Sequence, residues 1–254
     1  MMKIALCQTA PIYGQSEVNL PIVEQWVASA EADLVVLPEM FATGYVVDRP
    51  ELAEPMSGPT VRAMRRWAKD YNKAVVGSVF VSQLGRLFNR MVVAMPDGTL
   101  CSYDKHHLFS FAGEDQLLRS GEERIIVNFG GVRILPLCCY DLRFPAWSYL
   151  PAEVDLIIYS ASWSVGRIGA WDALLPARAI ENQAYVVGVN RAGSDPTAEY
   201  NGHSALYDFF GRKIADAGET VGVVVGEIDR EALDAYRSKF RAWQDADKFE
   251  FKKK

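Results

Sequence analysis

Short runs of consecutive apolar residues alternate along the chain with longer stretches in which apolar side chains return every three or four positions. The first pattern predicts buried strands, the second helices with one buried face. Residues 3–8 and 33–37 read as strands on either side of a helix over 17–32, whose apolar face is Val18, Ile22, Val23, Trp26, Val27 and Ala30. Pro21 suits that helix if it falls in the first turn, where its missing N–H costs nothing. A second amphipathic helix is predicted over 60–71, with Val61, Met64, Ala68 and Tyr71 facing in and Thr60 as its cap. Strands over 74–81 and 87–95 flank Gly85, Pro96-Asp97-Gly98 marks a turn, and 100–103 continues the sheet. The alternation then resumes. Strands are expected over 132–138, 154–159, 185–190, 204–207 and 221–228, with a short helix after Pro145 and longer ones over 171–184 and 230–240. Pro176 must lie near the start of its helix or kink it. No linker divides the chain, so the expectation is one α/β domain over 1–254, sheets inside and helices outside. Residues 241–254 have no core pattern and are expected to form a C-terminal extension that lies across a partner subunit.

Composition narrows the functional classes. Half of the 254 residues are hydrophobic and 23% are charged, as in an ordinary globular protein. The net charge is -5 and the one basic run is Lys252-Lys253-Lys254, so nucleic acid is not an expected partner. No apolar stretch is long enough to span a membrane, and the N-terminus enters a strand without a signal-peptide segment. Cys7, Cys101, Cys138 and Cys139 form no disulfide framework, and no Cys/His spacing suggests zinc. A reducing, cytoplasmic setting with no metal or organic cofactor is expected.

The most informative segment is Ile134-Leu135-Pro136-Leu137-Cys138-Cys139-Tyr140-Asp141-Leu142-Arg143-Phe144-Pro145. An apolar strand reaches two cysteines and breaks into a Pro-stopped turn. A thiol at that break can be presented to a substrate, so Cys139 is the candidate nucleophile. Cys138, one step back, should turn to the opposite side and serve as a small core residue. Two further polar groups stand at strand ends. Glu39 follows Leu34-Val35-Val36-Leu37 and precedes Met40 and Phe41, which suggests a general base with a pKa raised by an apolar pocket. Its competing reading is a solvated loop acid. Lys105 follows the strand over 100–103 and is either a surface partner of Asp104 or a fixed ammonium that stabilises developing negative charge.

These three segments together carry a resemblance. Leu37-Pro38-Glu39-Met40-Phe41, Tyr103-Asp104-Lys105-His106-His107-Leu108-Phe109 and Cys139-Tyr140-Asp141-Leu142-Arg143-Phe144-Pro145 are similar to the three signature segments of the nitrilase (carbon–nitrogen hydrolase) superfamily. The resemblance implies a Glu39–Lys105–Cys139 triad in a four-layer α-β-β-α sandwich that assembles as a homodimer. It also implies that Glu114 helps to hold the lysine and the substrate. The stretches around Trp163, 177–186, Asn190-Arg191 and Ala242-Trp243-Gln244-Asp245-Ala246-Asp247 resemble the bacterial omega-amidase branch. That branch implies small 2-oxo acids carrying an ω-amide, namely 2-oxoglutaramate and 2-oxosuccinamate. Cys139 would attack the amide carbonyl, and the backbone N–H of Tyr140 would join Lys105 at the oxyanion. Trp163 would wall the pocket and Arg167 would take the remote carboxylate. Arg143 is read as orienting the nucleophile turn, and Arg178, Glu181 and Asn182 as a polar network behind the site. Two alternatives stay open: another small amide or carbamoyl substrate, and a redox-sensing Cys138–Cys139 pair.

Overall fold

A computed structural model describes residues 1–251; the last part of the expected 241–254 extension, the basic run at 252–254, lies outside the described residues. The first half contains β1 (Met2–Gln8), α1 (Ser16–Ser29), β2 (Leu34–Val36), α2 (Pro59–Asp70), β3 (Ala74–Gln83), β4 (Arg86–Ala94), β5 (Leu100–Asp104) and α3 (Glu114–Leu117). There follow β6 (Val127–Phe129), β7 (Val132–Cys138), α4 (Pro145–Ser148), β8 (Leu156–Ala161), α5 (Ile168–Asn182) and β9 (Tyr185–Asn190). The chain closes with β10 (Ala192–Ser194), β11 (Glu199–Asn201), β12 (Ala205–Tyr207), β13 (Lys213–Asp216), β14 (Gly222–Ile228) and α6 (Arg230–Lys239).

Two six-stranded sheets form, ordered β14-β1-β2-β3-β4-β5 and β13-β12-β9-β8-β7-β6, beside a small β10-β11 ladder. Each large sheet has three parallel central strands, β1-β2-β3 and β7-β8-β9, flanked by antiparallel ones. Parallel strands need both faces covered, and the period of two assigns the covers. In the first sheet Ile4, Leu6, Leu34, Val36, Ala74, Val76, Met91 and Val93 enter the core between the sheets. Their neighbours Ala5, Cys7, Val35, Val75, Val92 and Ala94 pack under Val23 and Val27 of α1 and Val61, Met64 and Trp67 of α2. On the second sheet α5 contributes Trp171, Leu175 and Ala179 to the core. Gly188 of β9 lets it settle there: a Cβ at that position would lie 2.6 Å from both Leu175 and Trp171 side-chain atoms. The result is the α-β-β-α order of layers.

Several local expectations are corrected. Pro21 lies five residues beyond the start of α1, past the first turn, and Pro176 lies inside α5 rather than near its start. Each removes one intrahelical hydrogen bond, which the packed faces of these helices offset. Gly58, not Thr60, caps α2; the carboxylate of Glu54 accepts the Thr60 and Val61 N–H groups at 2.9 and 3.2 Å. The strands β6, β10, β11 and β13 were not expected, being three or four residues long and too short to show a period. The described part of the tail folds back on its own chain. Phe251 meets Trp147 edge-on at 5.0 Å, Phe249 stacks at 6.4 Å from Tyr149, and Arg124 lies over both Trp147 and Phe251. Among the described residues no helix is long and apolar enough to cross a membrane.

Candidate active site

Three strand ends supply one cavity of about 310 Å³. Glu39 follows β2, Lys105 leaves β5 and Cys139 leaves β7, so two groups come from one sheet and the third from the other. Glu39 and Glu114 expose nothing, Lys105 1% and Cys139 9%. Nζ of Lys105 donates to Oε1 of Glu39 at 2.9 Å and to Oε2 and Oε1 of Glu114 at 2.8 and 3.1 Å. Cys139 lines the same cavity as Glu39 and Lys105, with its thiol close enough to the Glu39 carboxylate for each to act on the other's proton affinity. The carboxylate, ammonium and thiol separated in sequence therefore meet, and the solvated-loop and surface-lysine readings of Glu39 and Lys105 do not hold.

The backbone is forced at two of these points. Cys139 has φ +43°, and Met40, just after Glu39, has φ +46°. Non-glycine residues adopt this left-handed region only where their surroundings impose it. At Cys139 the imposing group is Asp141. Its Oδ2 accepts from the Cys138 N–H at 3.0 Å and the Tyr103 hydroxyl at 2.7 Å, and its Oδ1 accepts from the His107 N–H at 2.9 Å. One buried carboxylate thus ties the nucleophile turn to the loop that carries Lys105. From the other side Arg178 donates to the Leu142 carbonyl at 2.7 Å and pairs with Glu181, while Asn182 accepts the Leu150 N–H at 2.7 Å. The polar network expected behind the site is present, with Arg178 and Asn182 buried and Glu181 partly exposed at its edge.

Burial and charge set the resting protonation. Burial pushes Glu39 up, but the Lys105 charge and hydrogen bonds from Lys105, Cys139 and Asn89 outweigh it, so its carboxyl sits below the ordinary range. The raised pKa expected from an apolar pocket is corrected: the ammonium beside it decides. Burial alone would depress Lys105, yet the charges of Glu114 and Glu39 hold it well above its usual value. Burial and the Glu39 charge push the Cys139 thiol well up. The resting site is carboxylate, ammonium and neutral thiol, so the sulfur needs a base to act.

Tyr140, Trp163 and Arg167 all line the cavity, as expected. Trp163 is fixed by its indole N–H, which donates to the Arg167 carbonyl at 2.8 Å, and by its backbone N–H on Asn190 at 2.7 Å. The Arg167 guanidinium lies 5.0 Å over Phe109. Arg143 also lines the cavity, 5.1 Å over the Trp163 ring, so its reading as only a turn-orienting residue is corrected. Two guanidiniums thus border the same space.

Cys138 is the other correction. Its Sγ reaches Oε1 of Glu39 at 3.4 Å and Oδ1 of Asn89 at 3.6 Å. The left-handed Cys139 breaks the strand alternation on which the opposite-sides expectation rested. Cys138 is nonetheless fully buried and outside the cavity lining, and burial pushes its thiol well up as well. Two neutral, buried thiols lack the thiolate character of a redox sensor. Sequence reasoning missed Asn89, which donates to Oε1 of Glu39 at 2.7 Å and to Oε1 of Glu114 at 3.1 Å, and Ser162, whose N–H donates to Oε2 of Glu39 at 2.9 Å. Asn89 had a signal: it interrupts the core-facing row of β4 between Leu87 and Met91. Ser162, acting through its backbone, had none. Among the described residues no group of three or more His, Cys, Asp or Glu side chains is arranged to hold a metal ion.

Comparison with known proteins identifies the family. The carbon-nitrogen hydrolase family profile matches residues 3–238. The chain is 40% identical to omega-amidase YafV of Escherichia coli, over 98% of each sequence. It is 34% identical to the 2-oxoglutaramate amidase of Bacillus subtilis, over 92% of this chain and 93% of that one. Its fold matches the crystal structure of XC1258 from Xanthomonas campestris, a CN-hydrolase superfamily protein with an arsenic adduct in its active site. The TM-score is 0.95 at 37% identity, with 99% of both chains covered.

Proposed function

Because the chain belongs to the carbon-nitrogen hydrolase family, we propose that it is an omega-amidase that hydrolyses the ω-amide of small 2-oxo acids through a Cys139 thioester. The observation that carries this reading is the buried meeting of Glu39, Lys105 and Cys139 in a cavity bordered by Arg143 and Arg167. Glu39 takes the thiol proton as Sγ bonds to the amide carbon. The oxyanion rests against Lys105 and the Tyr140 N–H, whose charge and dipole act strongly among these buried groups. Collapse of the tetrahedral species breaks the C–N bond, and the proton on Glu39 passes to the nitrogen, which leaves as ammonia. Water then attacks the thioester, giving its proton to Glu39, and the free acid departs as the thiol is restored. Glu114 holds Lys105 in place throughout.

The remote carboxylate of 2-oxoglutaramate or 2-oxosuccinamate supplies the reason for two guanidiniums at the far wall. A charged hydrogen bond of this kind contributes about 1.5–3 kcal/mol. Arg167→Ala and Arg143→Ala are each expected to raise KM for these substrates by roughly 10- to 100-fold while kcat stays within about 3-fold. Amides without the carboxylate should be unaffected. Ammonia release across a panel of small amides and carbamoyl compounds tests the whole reading. Preference for amides lacking the second carboxylate would remove the omega-amidase assignment. Intact-mass detection of an acyl adduct on Cys139 tests the intermediate. The same reading takes 1–254 as one hydrolase unit, cytoplasmic and homodimeric, with the C-terminal extension contacting the partner subunit from its seat on Trp147 and Tyr149 of its own chain. Sedimentation with and without the tail tests that part.

A further inference from the structure

We propose that Asn89 is a positioning residue that ties down one oxygen of Glu39 and so reserves the other for the Cys139 proton. The inference rests on the triad reading above. The argument is an inventory of lone pairs. Oε1 of Glu39 accepts from Nδ2 of Asn89 at 2.7 Å, from Nζ of Lys105 at 2.9 Å and from the Cys138 thiol at 3.4 Å. Oε2 accepts only the Ser162 N–H, at 2.9 Å, among the described residues. An ionised carboxylate oxygen offers about two lone pairs. Oε1 is therefore saturated, and Oε2, with a single donor, is the oxygen left with capacity to take the Cys139 proton.

The orientation of the Asn89 amide is itself determined. Oγ of Ser78 accepts the Met40 N–H at 3.0 Å, so its hydrogen is free to go to Oδ1 of Asn89, 2.6 Å away. The NH₂ end then faces the two carboxylates, one N–H on each. This geometry places a neutral brace between Glu39 and Glu114, whose like charges would otherwise be held together by Lys105 alone. The backbone carbonyl of the same residue accepts the Lys105 N–H at 2.9 Å. Asn89 thus fixes the Glu39 carboxylate through its side chain and the backbone of Lys105 through its main chain. It is 1% exposed and does not line the cavity, so its action is through Glu39 and not on the substrate.

The groups facing Glu39 are Lys105, Cys138 and Cys139, with the neutral Tyr45 phenol within reach of its charge and Glu114 across the ammonium. Removing the amide donor leaves all of these in place and lets the carboxylate rotate and its proton affinity rise. Asn89→Ala is expected to lower kcat by on the order of 100-fold, a typical general-base contribution, with KM changed by less than about 3-fold. The acid limb of the kcat profile should move to higher pH.

A substrate-free readout separates this inference from its premise. Iodoacetamide labelling of Cys139, followed by mass, reports the thiolate shared with Glu39. In the parent protein the rate should be flat over about pH 5–8, because one proton is shared across the pair. In Glu39→Gln it should rise about tenfold per pH unit, as for an isolated thiol; a flat profile there would sink the triad reading. In Asn89→Ala the flat region should begin at higher pH. If the Asn89→Ala profile overlies that of the parent and kcat stays within about 3-fold, the positioning role is overturned. A kcat loss with an unmoved pH limb also overturns it, leaving only a packing role. Should Asn89→Ala fail to fold, Ser78→Ala loosens the same amide from behind. It should shift the limb in the same direction with a kcat loss on the order of 10-fold, and an unchanged limb counts against the proposal.

Discussion

Cys139→Ser is expected to fold normally and lose hydrolysis by on the order of 10⁴-fold or more, the scale seen when a nucleophile is removed. The substitution keeps a hydrogen-bonding side chain at a residue already in the left-handed region, so the turn set by Asp141 has no reason to change. What changes is proton transfer. Glu39 lies below the ordinary carboxylate range, and so weak a base cannot take the proton of a hydroxyl far less acidic than a thiol. Cys138 offers no substitute: its sulfur is fully buried, sits on the saturated side of Glu39 and does not border the cavity. Ammonia release measures the loss, and intact mass should show no acyl adduct with a slow substrate. Retention of activity within about 10-fold would remove Cys139 from the nucleophile role.

Lys105→Met should cost both stability and rate. The ammonium is the shared partner of Glu39 at 2.9 Å and Glu114 at 2.8 Å, and all three side chains are essentially without solvent contact. Breaking a buried pair by removing one partner costs about 3–5 kcal/mol, and here one cation serves two carboxylates. Activity should fall by about 10³-fold or more through the lost oxyanion contact and the disturbed base. The pH dependence has a defined sign. In the parent, Glu39 is depressed below its unfolded value, so its contribution is present above that value and is lost as pH falls through the folded pKa. In the variant Glu39 has lost that charge, burial dominates and its pKa rises. The destabilisation is then greatest near neutral pH and shrinks as acid protonates the carboxyl. Urea unfolding at about pH 5 and about pH 8 checks this; an equal deficit at both would show that Glu39 does not depend on Lys105 for its charge.

The sequence disclosed the layers and the three strand-end groups because each leaves a local mark. Alternating rows such as Ile4-Leu6 against Ala5-Cys7 announce a strand with two covers, and an apolar run that ends on Glu39, Lys105 or Cys139 announces a presented polar group. It was silent where the deciding force acts across the chain. The pKa of Glu39 depends on an ammonium 66 residues away, so local apolarity pointed in the wrong direction. Cys138 was misplaced because a single left-handed residue after it resets the facing of the strand end. Arg143 read as structural since nothing local indicates that its guanidinium lies on Trp163 beside the cavity. The expected start of α5 was three residues late and its end two residues late, and there Pro176 sits mid-helix because packing against β9 overrides its local cost.

The division of the triad between the two sheets has a further consequence. Glu39 and Lys105 ride on the ends of β2 and β5, Cys139 on the end of β7, and the apolar seam between the layers, with polar ties such as Tyr103 to Asp141 and Ser162 to Glu39, keeps them in register. A molecule can recover both of its sheets during refolding and still be inert until those sheets lock face to face. Turnover in a refolding mixture therefore counts completed sandwiches, not secondary structure, and serves as a clock for the last step of assembly.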